Sequence, residues 1–115
     1  DIESIYDLYQ KKVSNQFESS PIYTDKNLFN YMYCPIISNY FPNSKIINCM
    51  RNPLDNILSI YRANFLHQSF SFSLRDISNL YINYFETMEE YKVKYSESIY
   101  DYNYEELIKN PNKIE

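Results

Sequence analysis

Residues 45–61 read KIINCMRNPLDNILSIY, and the order of elements within this stretch decides the fold. Ile46, Ile47, Cys49 and Met50 make a short apolar run rich in β-branched side chains, the composition of a buried strand. Arg51-Asn52-Pro53 then turns the chain. Asn52 is a good N-cap, and Pro53 suits the first helical position, where its missing N–H costs nothing. Asp55 falls in the first turn, where the helix dipole favours negative charge. Leu54, Ile57, Leu58, Tyr61 and Phe65 recur at helical spacing and predict one apolar face. The segment therefore reads as strand, tight turn and helix, with Arg51 at the carboxyl end of the strand. In open α/β sheets that end is where ligands bind. Ser59, off the apolar stripe about two turns along, adds one O–H to the planar donors of Arg51, a set suited to phosphate. The same residues also fit a surface arginine paired with Asp55 and an incidental serine.

A chain of 115 residues is long enough for one small domain with a core, and residues 1–115 read as one. The net charge of -4 argues against broad nucleic-acid binding. Fourteen tyrosines and seven phenylalanines favour a packed fold over disorder. There is no glycine, so neither a Walker-type loop nor GxGxxG occurs in these residues. That disfavours a kinase-like phosphoryl transferase. Cys34 and Cys49 show no metal or disulfide spacing and read as buried thiols in a reducing compartment. No run approaches membrane-span length and no leader pattern is visible, which favours the cytoplasm. His67, alone in a polar loop, reads as a surface residue.

Before the central stretch, Ile2, Ile5, Tyr6, Tyr9 and Val13 predict an amphipathic helix over 2–14, and 14–21 reads as a loop. Ile22-Tyr23-Thr24 reads as a short strand with Asp25-Lys26 at its end. Residues 28–41 look helical, with a kink or break expected at Pro35. After it, 64–72 reads as a loop with some helical character at its start. Ser73 opens a capping-box spacing, and the stripe from Ile77 to Tyr95 predicts a long helix over 74–94. Met88 and its tyrosines read as core, and Glu89, Glu90, Lys92 and Lys94 as a solvated face. Alternation over 99–104 predicts a last strand, and 105–109 a short helix stopped by Asn110-Pro111. Strands alternating with helices imply parallel crossovers and a layered α/β sheet.

The phrase FPNSKIINCMRNPLDNILSIYRANF resembles the nucleotide-binding core of the sulfotransferases. YTDK at Tyr23–Lys26 resembles the strand end carrying that family's active-site lysine. Asn30-Tyr31, SFSFSLRDISNLYINYFETM and YNYEELIKNP match further motifs in the same order. The branch most resembled is the bacterial type often fused to tetratricopeptide repeats, related to tyrosylprotein sulfotransferases. The resemblance implies a three-layer, mostly parallel sheet flanked by helices, a P-loop-NTPase-like fold that is here truncated. It implies 3′-phosphoadenylyl sulfate as donor, 3′,5′-ADP as product, no metal, and transfer to an acceptor hydroxyl or amine. Arg51 and Ser59 correspond to the residues that hold the 3′-phosphate, Tyr104 to a tyrosine near the nucleotide, and Lys26 to the catalytic lysine. On spacing alone, Lys26 would be a solvated lysine after a strand.

Departures from the family set further expectations. A Gly/Ser/Thr-rich loop of the PRSGT type, which cradles the 5′-phosphosulfate, is absent and is expected upstream of Asp1. The base that takes the acceptor's proton has no counterpart, the closing C-terminal elements are lacking, and Pro35 stands where the family has glycine. These residues alone are therefore expected to be inactive. The alternative is a non-catalytic α/β interaction module that self-associates through an exposed sheet edge or completes a partner subunit.

Overall fold

A computed structural model of the chain describes residues 2–17, 20, 22–65 and 68–111, with the backbone alone for 2–4. His67 lies outside the described residues. The chain divides into two compact units, 1–45 and 46–115.

The first unit is helical. α1 spans Ile2–Gln16, and α2 spans Cys34–Tyr40 after a 3-10 turn over Asn30–Tyr33. The rings of Tyr6 and Tyr9 each meet that of Phe41 in a T-shaped arrangement, at centroid distances of 5.1 and 5.5 Å. Cys34 is 1% exposed, and burial pushes its thiol pKa up. The expected break at Pro35 takes a specific form. The tight turn ends at Tyr33, and Pro35 falls in the first turn of a new helix, where no intrahelical N–H is needed. The strand expected at 22–24 does not form: among the described residues this segment pairs with no strand. Asp25 instead anchors it, accepting hydrogen bonds from the Tyr9 hydroxyl and the Asn30 amide, each at 3.3 Å.

The second unit holds the strand-turn-helix. β1 (Ile46–Met50) leads into α3 (Pro53–Ala63), and α4 (Leu74–Lys94) follows a 3-10 turn over Ser69–Phe72. β2 (Ile99–Asn103) then pairs parallel to β1, and α5 (Tyr104–Lys109) closes the unit. Among the described residues the sheet has these two strands. Asn52 caps α3 as expected, accepting from the backbone N–H groups of Leu54 and Asp55 at 3.0 and 3.3 Å. Ser73 caps α4 through the N–H of Asp76. Asn64 ends α3 with φ 45°, the left-handed C-cap position that glycine usually fills, and it does so in a chain without glycine. Among the described residues of 64–72 the helical turn lies at the end, over 69–72, and not at Asn64-Phe65.

The core of this unit departs from the pattern of β1. Ile77, Met88 and Ile99 are buried, but on β1 the buried residue is Asn48, at 7% exposure. Ile47 is 65% exposed and Cys49 is also exposed, so Cys49 is not the buried thiol its strand position suggested. Leu54, Leu58, Tyr61 and Phe65, four of the five residues of the expected apolar face around α3, are likewise exposed. Asn48 is engaged at both ends of its amide. Its amide donates to Asp101 at 2.7 Å, and the Tyr84 hydroxyl donates to its carbonyl oxygen. Lys92 reaches Asp101 at 2.7 Å and also pairs with Glu89, so it belongs to a network rather than to a purely solvated face. Burial alone would raise the pKa of Asp101, but the bonds from Lys92 and Asn48 win and lower it. Burial pushes Tyr84 up to about 12.

Candidate functional site

The carboxyl end of β1 delivers Arg51, and α3 carries Asp55, Leu58, Ser59 and Arg62. These five residues line one open depression of about 270 Å³. The turn that aims Arg51 is held by the Asn52 cap on one side and by the start of α5 on the other. β1 and β2 run in register, Met50 opposite Asn103, so the residues that follow each strand emerge side by side. The guanidinium of Arg51 lies 5.3 Å from the ring centroid of Tyr104, within cation–π range. The N–H of Asn52 donates to Glu105 Oε1 at 2.9 Å. That bond is the main reason the Glu105 carboxyl titrates below the usual range; the charges of Arg51 and Lys109 add to it.

The expected ion pair of Arg51 with Asp55 is not formed. Among the described residues the ion pairs are those of Lys92 with Glu89 and Asp101. Arg51 forms no ion pair among the described residues, and its guanidinium lies near Tyr104 while it lines the depression. Arg62 was not expected at the site. Asp55, Ser59 and Arg62 stand at i, i+4 and i+7, a polar stripe that marks them as neighbours on one helix face. Two guanidinia and a hydroxyl make the depression a donor-rich surface for an anion. The Asp55 carboxylate beside them can accept from a hydroxyl of the same ligand.

Lys26 belongs to the first unit. It ends the exposed segment that Asp25 anchors, and it makes no hydrogen bond or ion pair among the described residues. Among the described residues no group of three or more His, Cys, Asp or Glu side chains could hold a metal ion, and no helix is long and apolar enough to cross a membrane.

The sequence profile of the sulfotransferase family matches residues 2–114. The chain belongs to the sulfotransferase family. A relative from Aquifex aeolicus (strain VF5), described as an uncharacterized protein, is 29% identical over 117 residues. The match covers 98% of this sulfotransferase chain and 15% of the relative, so the chain spans about a seventh of that protein's length. No solved structure matches the chain. Because this sulfotransferase chain contains no glycine, the depression at Arg51 depends on side chains and offers no glycine-rich backbone cradle.

Proposed function

We propose that residues 1–115 are part of one sulfotransferase domain of the tetratricopeptide-associated, tyrosylprotein-sulfotransferase-like branch. They carry the half of its site that grips the 3′-phosphate of 3′-phosphoadenylyl sulfate. The supporting observation is the shared depression: Arg51 from the strand end and Ser59 from the next helix open onto the same space. In this reading Arg51 and Ser59 donate to the 3′-phosphate, and Arg62 adds charge from the outer turn. Tyr104 supports the Arg51 guanidinium and borders the nucleotide.

The donor supplies an activated S–O bond. When bound, it would pass its sulfuryl group to an acceptor hydroxyl or amine as that bond breaks, the acceptor's proton going to water or to a base outside these residues and 3′,5′-ADP leaving. Lys26 is proposed to stand at the bridging oxygen, where a cation offsets charge developing on the departing phosphate. The residues fit the phosphate end of the donor. They do not fit its phosphosulfate end, since the chain has no glycine for a backbone cradle. These residues alone are accordingly expected to bind 3′,5′-ADP but not to transfer sulfate.

Calorimetric titration of 3′,5′-ADP into wild type and Arg51→Ala tests this reading. The variant should lose about 10- to 100-fold in affinity, the range for hydrogen bonds to a charged group. Equal affinity in both proteins would remove the phosphate assignment. Binding in neither would favour the second reading, a non-catalytic module that pairs through its sheet. That reading draws on Ile47 and Tyr100, register partners that are 65% and 49% exposed.

A further inference from the structure

We propose that Glu105 is a positioning residue for the Arg51 site: its carboxylate pins the backbone amide of Asn52 and so fixes the guanidinium over the depression. The inference rests on the phosphate reading of Arg51 and adds a residue that the reading does not contain.

Arg51 and Asn52 lie beyond the last ladder pair, Met50 with Asn103, so the sheet itself no longer holds them. The side chain of Asn52 is committed to α3, where it takes the N–H groups of Leu54 and Asp55. Its own N–H points the other way and ends on Glu105 Oε1 at 2.9 Å. The turn is thus tied at both sides, and Arg51 leaves it from a fixed backbone. The neighbouring Tyr104 adds its ring 5.3 Å from the guanidinium. One dipeptide at the start of α5 therefore holds both the main chain and the side chain of the strand-end arginine.

The choice of a carboxylate has a second effect. An amide at the head of a helix ordinarily invites an anionic ligand. Here the protein's own carboxylate fills that position, which leaves Arg51 before the cap and Ser59 and Arg62 farther along α3 as the donors that face the depression. Glu105 also attracts Arg51 at a distance without forming an ion pair with it among the described residues. The guanidinium is oriented but not consumed.

The test is titration of 3′,5′-ADP into the purified full-length protein carrying Glu105→Ala, Glu105→Gln or Arg51→Ala, with thermal midpoints recorded in parallel. Glu105→Ala should weaken binding about tenfold, because a turn released at Asn52 must be ordered again when the ligand binds, with a modest fall in the thermal midpoint. Glu105→Gln keeps an acceptor for Asn52 and should restore affinity to within about threefold of wild type. Wild-type affinity in the alanine variant, or a glutamine variant as weak as alanine, overturns the proposal. Where the alanine variant fails to fold, Glu105→Asp replaces it. One methylene shorter, it should bind more weakly than the glutamine variant, and wild-type affinity would again overturn the proposal. If Arg51→Ala binds like wild type, the phosphate reading itself fails. If Arg51→Ala loses affinity and the Glu105 variants do not, the positioning role alone fails.

Discussion

Asn48 lies within β1 and Arg51 just past its end, three positions on, and their polar side chains have opposite circumstances. Asn48 is buried, and both ends of its amide are engaged, one with Asp101 and one with Tyr84. Arg51 is exposed, rests on an aromatic ring and forms no ion pair among the described residues. A buried polar group must be satisfied within the protein, because an unmet partner costs about 1–3 kcal/mol. A group meant for a ligand must keep its valence open. The first cluster therefore reads as support for the sheet and the second as a binding surface.

The sharpest way to break this contrast is to exchange the readouts. Arg51→Ala, with its large expected loss of 3′,5′-ADP affinity, should leave unfolding free energy within about 0.5 kcal/mol of wild type, as surface substitutions do. Asn48→Ala should cost about 1–3 kcal/mol in urea denaturation, since Tyr84 and Asp101 both lose a partner. If the stability losses came out reversed, the division into support and binding surface would be wrong.

Arg62→Ala sharpens the description of the binding surface. Its effect should be smaller than that of Arg51→Ala, about three- to tenfold in 3′,5′-ADP affinity, and should shrink as salt is raised. No change at low salt would remove Arg62 from the site. The last prediction concerns pH. Tyr84 keeps its proton to about 12 in the fold, against an ordinary value of 10.0. A raised folded pKa means the contribution is whole below pH 10.0 and is lost as pH climbs toward about 12. Denaturation midpoints followed from neutral pH upward should decline in that window, and Tyr84→Phe should remove part of the decline.

The parts legible in the sequence were those governed by neighbours along the chain. The caps at Asn52 and Ser73 follow from local chemistry, as does the long stripe of α4. What escaped depends on partners far away. Residues 22–24 have strand composition, but a strand exists only where another pairs with it. Ile47 and Cys49 read as buried because β-branched and thiol side chains usually are, yet the packed face of β1 is the one carrying Asn48. Its burial depends on Asp101, 53 residues away, and no local pattern announces that. Arg62 was findable. Asp55, Ser59 and Arg62 recur at helical spacing beside the apolar residues of α3, and they line the depression.

The pairing of Met50 with Asn103 has a consequence for how this domain tolerates change. A slip of β2 by one step would carry Tyr104 and Glu105 about 3.3 Å along the sheet. It would also turn Asp101 to the face away from Asn48. The same misalignment would thus undo the interior lock and unseat the arginine together. Inserting or deleting one residue in the turn at 95–98 carries that hazard, although none of those residues borders the depression.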